Sequence, residues 1–385
     1  MKTKHKRLFR IGSVLVLLAA TVCLSLPYYA RQALIHWMPV IDDAEIFHRD
    51  TVRCDPADTW HWPLAGNYNR YRLSPEDSAY LDELETVSFL VIRHDSILFE
   101  DYRNGWNDTL TSNIYSATKT IVGLLAGIAA DEGYIHSIDD PVSEYIPEYV
   151  KGKQADVTIR DLLTMSGGMD WDESYASLFS VTTHGYYGND LYELVTRLEV
   201  NEEPGVQYSY RSGETQLLAF VIEAAVGKTL SQYAEEKLWR PMQAERDAYW
   251  LLDKEGGDEK AFCCFHTTAR DVARFGRLML RRGDWNGRRL VSEKYIGEAM
   301  RPAGYLKDQW GKDTLDYYGF QTWIMRYHGQ VNPYMRGMLG QYVFVVPEKD
   351  AIVVRLGRKR SDIYRRELTT DIIRYMDIAM KILGE

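Results

Sequence analysis

The chain has 385 residues, of which 45% are hydrophobic and 26% are charged. This composition is typical of a globular protein, and the length is sufficient for a full hydrophobic core. The formal net charge is -9 and the sequence pI is about 5.6. Because an acidic chain is poorly suited to bind nucleic acid or an anionic surface, we expect no nucleic-acid partner.

Residues 1–30 have the pattern of a secretory signal or a membrane anchor. Lysines and arginines are concentrated in the first ten residues, and an apolar segment follows from about 11 to 26. Such a segment enters the membrane and leaves its basic end in the cytoplasm. A cleavage site is not evident, because Tyr28 and Tyr29 occupy a region where small residues are preferred. We therefore expect an inner-membrane anchor with the rest of the chain facing the periplasm, and secretion after cleavage is the alternative.

The four cysteines do not form a disulfide framework. Cys23 lies in the apolar segment, Cys54 stands alone, and Cys263 and Cys264 are adjacent in an apolar stretch. That stretch indicates buried small residues at the adjacent pair. No cluster of His, Cys and Asp has the spacing of a zinc site, so we predict neither a metal nor another cofactor.

The remaining chain divides into a connecting region and one domain. Residues 31–85 are rich in Trp, Tyr and Pro without a clear period, and we assign 86–385 to the domain. Its predicted elements are a β-hairpin at 88–102, a helix at 116–132, a mostly helical stretch at 134–300 with a helix at 214–226, strands at 318–325, 340–346 and 351–357, and a final helix at 367–383. Strands at both ends predict an α+β fold, with one antiparallel sheet flanked by helices and interrupted by a helical insertion. A cleft between these two parts is the natural position for a site.

A serine and a lysine three residues apart begin the predicted helix at 116–132. Ser116 and Lys119 lie on one face of a helix, one turn apart, so the amine can reach the hydroxyl. A serine becomes a strong nucleophile when a neighbouring base removes its proton. N–H groups at a helix N-terminus also stabilise a developing oxyanion. The same spacing occurs by chance in long chains, where it marks a capped helix with a solvent-facing lysine.

Two later segments supply candidate partners for this pair. The loop at 204–213 begins with a Pro-Gly turn and carries Tyr210, which can relay a proton if nearby cations favour its phenolate. The alternative is a packed loop tyrosine. Residues 336–342 contain two glycines and enter a predicted strand, so a substrate can approach the strand edge closely. An N–H group on that edge would be a second oxyanion donor.

In this order, the three elements resemble those of the serine β-lactamase and penicillin-binding-protein superfamily. More specifically, they resemble its class C-related branch of esterases, D-aminopeptidase-like enzymes and 6-aminohexanoate-dimer hydrolases. Three further segments, at 157–168, 169–173 and 269–276, are also similar to that branch. The resemblance extends over about 88–380. It implies a β-lactamase/transpeptidase-like fold.

The resemblance also implies roles for individual residues. Ser116 would be the acylated nucleophile and Lys119 its proton acceptor. Tyr210 corresponds to the tyrosine of a Tyr-x-Asn motif, in which Ser212 replaces the asparagine. The backbone N–H groups of Ser116 and Gln341 would form the oxyanion hole.

The third motif departs from the family pattern. It usually begins with Lys or His, then any residue, then Gly, whereas this chain has Met338, Leu339 and Gly340. The missing cation commonly binds a substrate carboxylate or tunes the tyrosine. Arg336, two residues earlier, is a weak substitute if the strand extends that far. The departure counts against β-lactams and D-Ala-D-Ala peptides, both of which carry a carboxylate.

We predict a serine hydrolase that cleaves an ester or neutral amide bond of a small molecule through an acyl-enzyme, without a cofactor. The alternatives are a peptidoglycan D,D-peptidase, a β-lactamase, and a catalytically silent relative that binds a peptide or cell-wall fragment. Trp171 and Tyr208 lie beside the motifs and either line the cleft or belong to the core. The candidate substrate-binding residues are Ser212, Trp171, Met338, Gly340 and Arg336. The sequence selects neither the substrate nor the oligomeric state.

Overall fold

Six strands from the two ends of the domain form the main sheet of the computed structural model, which describes residues 21 and 23–384. The order in this sheet is β3-β2-β12-β11-β10-β9, and every neighbouring pair is antiparallel. A second sheet has the order β1-β5-β6-β4. The strands are β1 (Arg49–Val52), β2 (Thr86–Arg93), β3 (Ser96–Tyr102), β4 (Ser112–Asn113), β5 (Ala248–Leu251), β6 (Phe265–Thr267), β7 (Asp284–Trp285), β8 (Arg288–Arg289), β9 (Trp323–Tyr327), β10 (Gln330–Gly337), β11 (Gln341–Val346), β12 (Ala351–Gly357), β13 (Tyr364–Arg365) and β14 (Leu368–Thr369).

Helices cover both faces of the main sheet and fill the insertion between β3 and β9. They are α1 (Tyr28–His36), α2 (Pro75–Glu83), α3 (Thr118–Asp131), α4 (Ile159–Leu163), α5 (Val181–Tyr187), α6 (Leu191–Arg197), α7 (Ser212–Val226), α8 (Leu230–Ala234), α9 (Ala269–Leu280), α10 (Glu293–Ala299) and α11 (Thr370–Leu383).

The central strands place alternate side chains in two separate apolar layers. In β11, Val343 and Val345 belong to the layer shared with α9, whereas Tyr342 and Phe344 belong to the layer shared with α11. Successive residues of a strand point to opposite faces, so a strand that is apolar throughout needs a cover on both sides. At Gly276 of α9, a Cβ atom would lie 2.8 Å from the Val343 side chain, which shows how closely this helix approaches the sheet.

Helix α3 runs through the larger of the two layers. Its residues from Thr118 to Ala129 are all buried, so it is enclosed around its whole circumference. Gly127 faces the ring of Tyr295, where a Cβ atom would lie 2.4 Å from a ring carbon. This enclosure fixes the position of the residues that precede the helix.

The predicted α+β fold is confirmed. The hairpin, the long helix at 118–131, the helix at 212–226 and the final helix all form within a few residues of the predicted bounds. Residues 31–85, which we assigned to a connecting region, contribute α2, β1 and part of α1, and β1 pairs with β5. Ala33, Ile41 and Val52 are buried in the larger apolar layer, so this region packs with the domain.

The C-terminal strands differ from the prediction. The strand predicted at 318–325 begins only at Trp323, and β10 was not predicted at all. Asn332 and Pro333 lie inside β10, and proline within a run of residues argues against a paired strand. Strand β10 nevertheless pairs with both β9 and β11.

The predicted anchor at 1–30 falls largely outside the described residues. Within 21 and 23–384, no helix is both long enough and apolar enough to cross a membrane.

Candidate active site

The turn that carries Ser116 is held by the short strand β4. The Ile114 N–H donates to the carbonyl of Phe265 at 3.0 Å, and Asn113 Oδ1 accepts from the Tyr115 N–H at 2.8 Å. Tyr115 has a φ of 46°, a left-handed conformation that tyrosine seldom adopts and that clusters at functional sites. Ser116 follows on a short 3₁₀ turn and is half-buried, so its hydroxyl is accessible.

Lys119 lies one turn further on and is almost wholly buried, with 1% exposure. Its Nζ donates to the Phe262 carbonyl at 2.6 Å and to Ser116 Oγ at 3.1 Å. Burial lowers the pKa of the amine to about 8, while the negative charge of Glu173 acts in the opposite direction. An amine with this pKa can lose its proton near neutral pH, as a general base for serine must. The alternative of a solvent-facing lysine is therefore wrong.

Tyr210 faces this lysine, with its ring centroid 5.1 Å from Lys119 Nζ. Burial, and after it the charge of Glu173, raises the pKa of the phenol above its ordinary value. A side-chain hydrogen bond with Ser116 and the charge of Arg336 oppose this rise without cancelling it. The tyrosine is therefore protonated at neutral pH. The condition set from the sequence, that cations favour its phenolate, is not met.

Glu173 is a site residue that the sequence analysis did not single out. Its carboxylate accepts from the Ser212 N–H at 2.7 Å, from Ser212 Oγ at 2.6 Å, and from the Tyr175 hydroxyl. Ser212 is thus tied to a carboxylate at the start of α7. The only signal for Glu173 in the sequence is that its segment resembles the family, and Asp170 and Asp172 carry the same chemistry nearby.

The third motif is a hairpin bend and not a continuous strand. Strand β10 ends at Gly337 and β11 begins at Gln341, with Leu339 and Gly340 between them at φ values of 60° and 85°. Gly337 lies against the backbone that precedes the nucleophile, where a Cβ atom would stand 2.1 Å from the Ile114 carbonyl oxygen. Only glycine allows the two segments to approach this closely.

This bend brings Met338 to the serine, whereas Gln341 is directed elsewhere. Met338 lines both cavities that open at Ser116. Gln341 is fully buried, and its Nε2 donates to the carbonyls of Met338 and Gly357 at 3.0 and 2.6 Å. The Gln341 side chain therefore joins β11 to the end of β12, and the residue does not line either cavity.

Buried Arg355 stabilises this bend through hydrogen bonds to its backbone carbonyl groups. Its Nη1 donates to the carbonyls of Leu339 and Gly340, both at 2.8 Å. A Cβ atom at Gly340 would lie 2.2 Å from this guanidinium group. Gly340, which we considered for substrate binding, thus serves the bend and lies outside both cavities.

Two cavities of contrasting chemistry meet at Ser116. The apolar cavity, of about 360 Å³, is lined by aromatic, aliphatic and small side chains and by no Asp, Glu, Lys, Arg or His. The arginine cavity, of about 380 Å³, contains Tyr210 and Trp323 together with several charged side chains. Its charged lining residues are Arg336, Arg360, Arg366, Glu173 and Glu367.

Arg336 enters the arginine cavity from β10. Its guanidinium carbon lies 4.7 Å from the centroid of the Trp323 ring, and Nη1 donates to the Glu367 carbonyl at 2.7 Å. Arg336 thus places a cation in this cavity from another position of the same hairpin as Met338.

Trp171 and Tyr208 belong to the core. Trp171 is 5% exposed, and its rings contact Gly213 and Phe262. Tyr208 is fully buried, with its ring 5.4 Å from that of Tyr317. Neither residue lines a cavity that opens at the serine.

The two adjacent cysteines are bonded to each other. Cys263 and Cys264 form a disulfide and are buried, so the prediction of buried small residues is confirmed but the bond was not foreseen. Phe262, whose carbonyl accepts from Lys119, immediately precedes the pair. Cys263 itself lines the apolar cavity. The disulfide thus borders both the base and the cavity.

In the described part of the chain, one group of three side chains has donor atoms close enough to hold a metal ion. It consists of His136, Asp140 and Glu144, which are partly or fully exposed. None of the three lines a cavity at Ser116.

Comparison with known proteins finds related sequences and the same fold elsewhere. The Beta-lactamase family model matches residues 78–374. Over 305 residues, the chain is 29% identical to the 6-aminohexanoate-dimer hydrolase of Paenarthrobacter ureafaciens, covering 73% of this chain and 75% of that protein. A solved structure described as a "putative 6-aminohexanoate-dimer hydrolase from Bacillus anthracis" has a TM-score of 0.77 and 22% identity over 92% of this chain and 95% of its own. A family VIII carboxylesterase has a TM-score of 0.65 and 18% identity over 84% and 99% of the two chains.

Proposed function

Because the chain belongs to the Beta-lactamase family and is a serine-type hydrolase of amide or ester bonds, we propose that it acts through an acyl-enzyme on Ser116. The observation that carries this proposal is the contact between Lys119 Nζ and Ser116 Oγ at 3.1 Å. The amine is buried, has a pKa of about 8, and adjoins a serine on which two cavities open. A protein that only binds a ligand would have no use for this combination.

The first half of the reaction forms the acyl-enzyme. Neutral Lys119 keeps one N–H on the Phe262 carbonyl and accepts the Ser116 proton with its lone pair, while Ser116 Oγ attacks the substrate carbonyl. The resulting oxyanion receives backbone N–H groups from Ser116 and, in place of Gln341, from Met338. Tyr210, which is protonated at rest, donates its proton to the leaving group and regains one from Lys119. The bond to the leaving group breaks as its proton arrives.

The second half releases the acyl group. With the leaving group gone, Lys119 is neutral again and accepts a proton from a water molecule, which attacks the ester carbonyl. Collapse of this intermediate breaks the bond to Ser116 Oγ, and the serine recovers its proton from the lysine. Each group returns to its starting state, so no cofactor is consumed.

The substrate is proposed to carry a negative charge on its leaving group. Tyr210 lines the arginine cavity and not the apolar one, so the leaving group belongs among Arg336, Arg360 and Arg366. Guanidinium groups bind carboxylates strongly. A dimer of 6-aminohexanoate, named for the relative with 29% identity, is a linear amide with such a carboxylate. The expectation that carboxylate substrates are disfavoured, which rested on Met338, is therefore withdrawn in this proposal.

We also propose that the chain is exported and anchored by its N-terminal segment. The support is the basic and apolar pattern of residues 1–26. Described residues in and just after this segment are apolar and exposed, with Leu24, Ile35 and Trp37 between 69 and 72% exposed. A reporter fused after the last residue would test this proposal if the reporter is active only outside the cytoplasm. Deletion of residues 1–26 should abolish the reporter's activity, and full activity after the deletion would exclude this route of export.

Covalent labelling tests the proposed nucleophile. A fluorophosphonate probe should label the purified full-length chain, and peptide mass spectrometry should find the label on Ser116. Ser116→Ala should not be labelled, whereas Ser143→Ala, on a 3₁₀ turn away from both cavities, should be labelled normally. Equal labelling of the wild type and Ser116→Ala would refute the acyl-enzyme. Turnover of linear ω-amino-acid dimers, D-alanyl peptides and nitrocefin would then separate an amidase from a D,D-peptidase or a β-lactamase.

A further inference from the structure

The apolar cavity beside Ser116 has no role in the proton transfers described above. Its lining includes Trp37, Met38, Ser116, Ala176, Leu178 and Met338. The volume of about 360 Å³ is in the range of small-molecule sites. Because it offers no charged side chain, we expect an uncharged group there, and the aromatic and aliphatic side chains of the lining favour an apolar one.

The outer wall of this cavity comes from the N-terminal segment. Helix α1 packs on α5, with the ring of Tyr29 stacked 4.3 Å from that of His184. The Tyr187 hydroxyl donates to the Trp37 carbonyl at 3.1 Å, which ties the end of α1 to the same helix. Met38 and Trp37 therefore stand at the border of the cavity although they are 54% and 72% exposed. Part of the cavity wall therefore comes from residues outside the catalytic motifs.

The positions of the catalytic groups decide which part of a substrate enters it. Ser116 and Met338 line both cavities, but Tyr210 lines only the arginine cavity. The leaving group must lie where Tyr210 can protonate it. The other substituent of the scissile carbonyl, the acyl chain, is then directed into the apolar cavity.

We propose that the substrate is an amphiphile in which an apolar acyl chain is joined, through an ester or amide bond, to a leaving group that carries an anion. This inference rests on the proposed acyl-enzyme mechanism and adds the substrate class. N-acyl amino acids and acyl esters of hydroxy acids have the required chemistry. Burial of each additional methylene group in the cavity should raise kcat/KM by about fourfold until the cavity is full.

The test is a matrix of esters with the full-length chain, at concentrations below micelle formation. Acyl chains of two to twelve carbons are combined with p-nitrophenol and with a carboxylated p-nitrophenol as leaving groups. We expect kcat/KM to rise by about fourfold per methylene over the shorter chains and then to level off. The carboxylated leaving group should be preferred at every chain length. A flat or falling dependence on chain length, with the esters still turned over at Ser116, would overturn this inference and leave the acyl-enzyme intact.

Two substitutions test the cavity itself. Leu178→Trp and Ala176→Trp each place a large ring in a lining loop, and either should shorten the chain length at which kcat/KM stops rising. Leu64→Trp, at a leucine that is 55% exposed and lines neither cavity, is the matched control and should keep the wild-type dependence. If Leu178→Trp and Ala176→Trp also keep the wild-type dependence of kcat/KM on chain length, the acyl chain does not occupy this cavity.

The anionic half is tested separately. Arg360→Gln should reduce the preference for the carboxylated leaving group by roughly tenfold and leave the dependence on acyl length unchanged. If the wild type shows no preference for the carboxylated leaving group, or if Arg336→Gln, Arg360→Gln and Arg366→Gln all leave that preference unchanged, the anionic part of the substrate is refuted. Failure of every ester to acylate Ser116 would instead refute the proposed function itself.

Discussion

The Phe262 carbonyl lies 2.6 Å from Lys119 Nζ and is the closer of its two hydrogen-bond partners, since Ser116 Oγ lies at 3.1 Å. A carbonyl oxygen can only accept, so one N–H of the lysine always points to Phe262. In the ammonium form, another N–H is donated to the serine. Once the lysine is neutral, its lone pair can take that place and accept the serine proton. The contact with Phe262 therefore orients the base.

The pH dependence of acylation should follow the titration of Lys119. Because burial lowers the pKa of this amine to about 8, the neutral form increases as the pH rises through about 8, and the acylation rate should rise with it. Glu173 raises the pKa of the amine, so Glu173→Gln should move the midpoint to lower pH. Single-turnover acylation measured from pH 6 to 10 gives both midpoints. The exposed Glu348→Gln is the control, and a Glu173→Gln midpoint equal to that of the control would contradict this assignment.

The disulfide next to Phe262 should affect the rate. Reduction takes two electrons from an added thiol and leaves Cys263 and Cys264 as separate thiols, so the backbone that presents the Phe262 carbonyl becomes freer. We expect kcat/KM to fall by roughly tenfold, both after mild reduction of the wild type and in the double variant Cys263→Ser/Cys264→Ser.

Reductant sensitivity provides the control for this effect. The double variant should be indifferent to added thiol, whereas Cys54→Ser, which removes a free cysteine, should respond as the wild type does. Wild-type activity that is unaffected by complete reduction, verified by thiol labelling of Cys263 and Cys264, would remove the disulfide from any role in positioning the lysine.

Buried Lys260 should lower the free energy of unfolding at pH values near and below the pKa of its amine. Its amine donates to the Leu252 carbonyl at 2.7 Å, and burial lowers its pKa to about 7. An unfolded lysine has a pKa of about 10.4, so between about pH 7 and pH 10 the unfolded chain binds more protons and stability rises with pH. Lys260→Met should raise the free energy of unfolding at pH 6.5 by about 1–2 kcal/mol and flatten this slope.

Denaturant unfolding at several pH values between 6.5 and 10 measures this slope. Lys254→Met, at a lysine whose side chain is 55% exposed, is the matched control and should leave the slope unchanged. Lys119 contributes its own slope over the narrower range from about pH 8 to pH 10, so the curve of Lys260→Met should be flatter than that of the wild type without becoming level. Equal slopes in the two variants would mean that Lys260 is not neutral when folded.

The sequence predicted those site residues whose contact depends only on their spacing along one helix. Ser116 and Lys119 are one helical turn apart, so their contact depends on little besides the helix. Glu173 and Arg360 reach the site from distant segments through loops, and nothing in their local pattern distinguishes them from surface charges. The fold was predictable in outline because apolar strands and helices carry strong periodic signals. Strand β10 was missed because Pro333 obscured that signal.

The sequence could not show which glycine of the third motif lies beside the nucleophile, for a different reason. Gly337 and Gly340 fit the same short pattern, and both precede a residue that could supply the oxyanion N–H. Only the approach of Gly337 to the Ile114 carbonyl identifies which glycine lies beside the nucleophile. That contact joins residues more than 200 positions apart, and the sequence contains no trace of it.

This register leads to a test of the Met338 N–H. Gly337 has an extended backbone (φ -125°, ψ 161°), as a residue before proline requires, and Met338 begins a 3₁₀ turn, where proline is well accepted. Met338→Pro should therefore remove the N–H donor without disturbing the bend. Loss of one oxyanion donor should slow acylation by about 10²–10³-fold. Met338→Ala retains the N–H and should lose far less, since only cavity contacts change.

Gln341 is the third position to test, because the resemblance to the family had assigned the second oxyanion N–H donor to it. Gln341→Ala loses the side-chain bonds to the Met338 and Gly357 carbonyls, so it should lower the Tm. Below that Tm, the acylation rate of the folded variant should stay much closer to the wild-type rate than that of Met338→Pro. Rates for all three variants come from the burst phase with a p-nitrophenyl ester. If Met338→Pro acylates as fast as Met338→Ala, the oxyanion is not held by Met338, and the donor must be sought elsewhere on the hairpin.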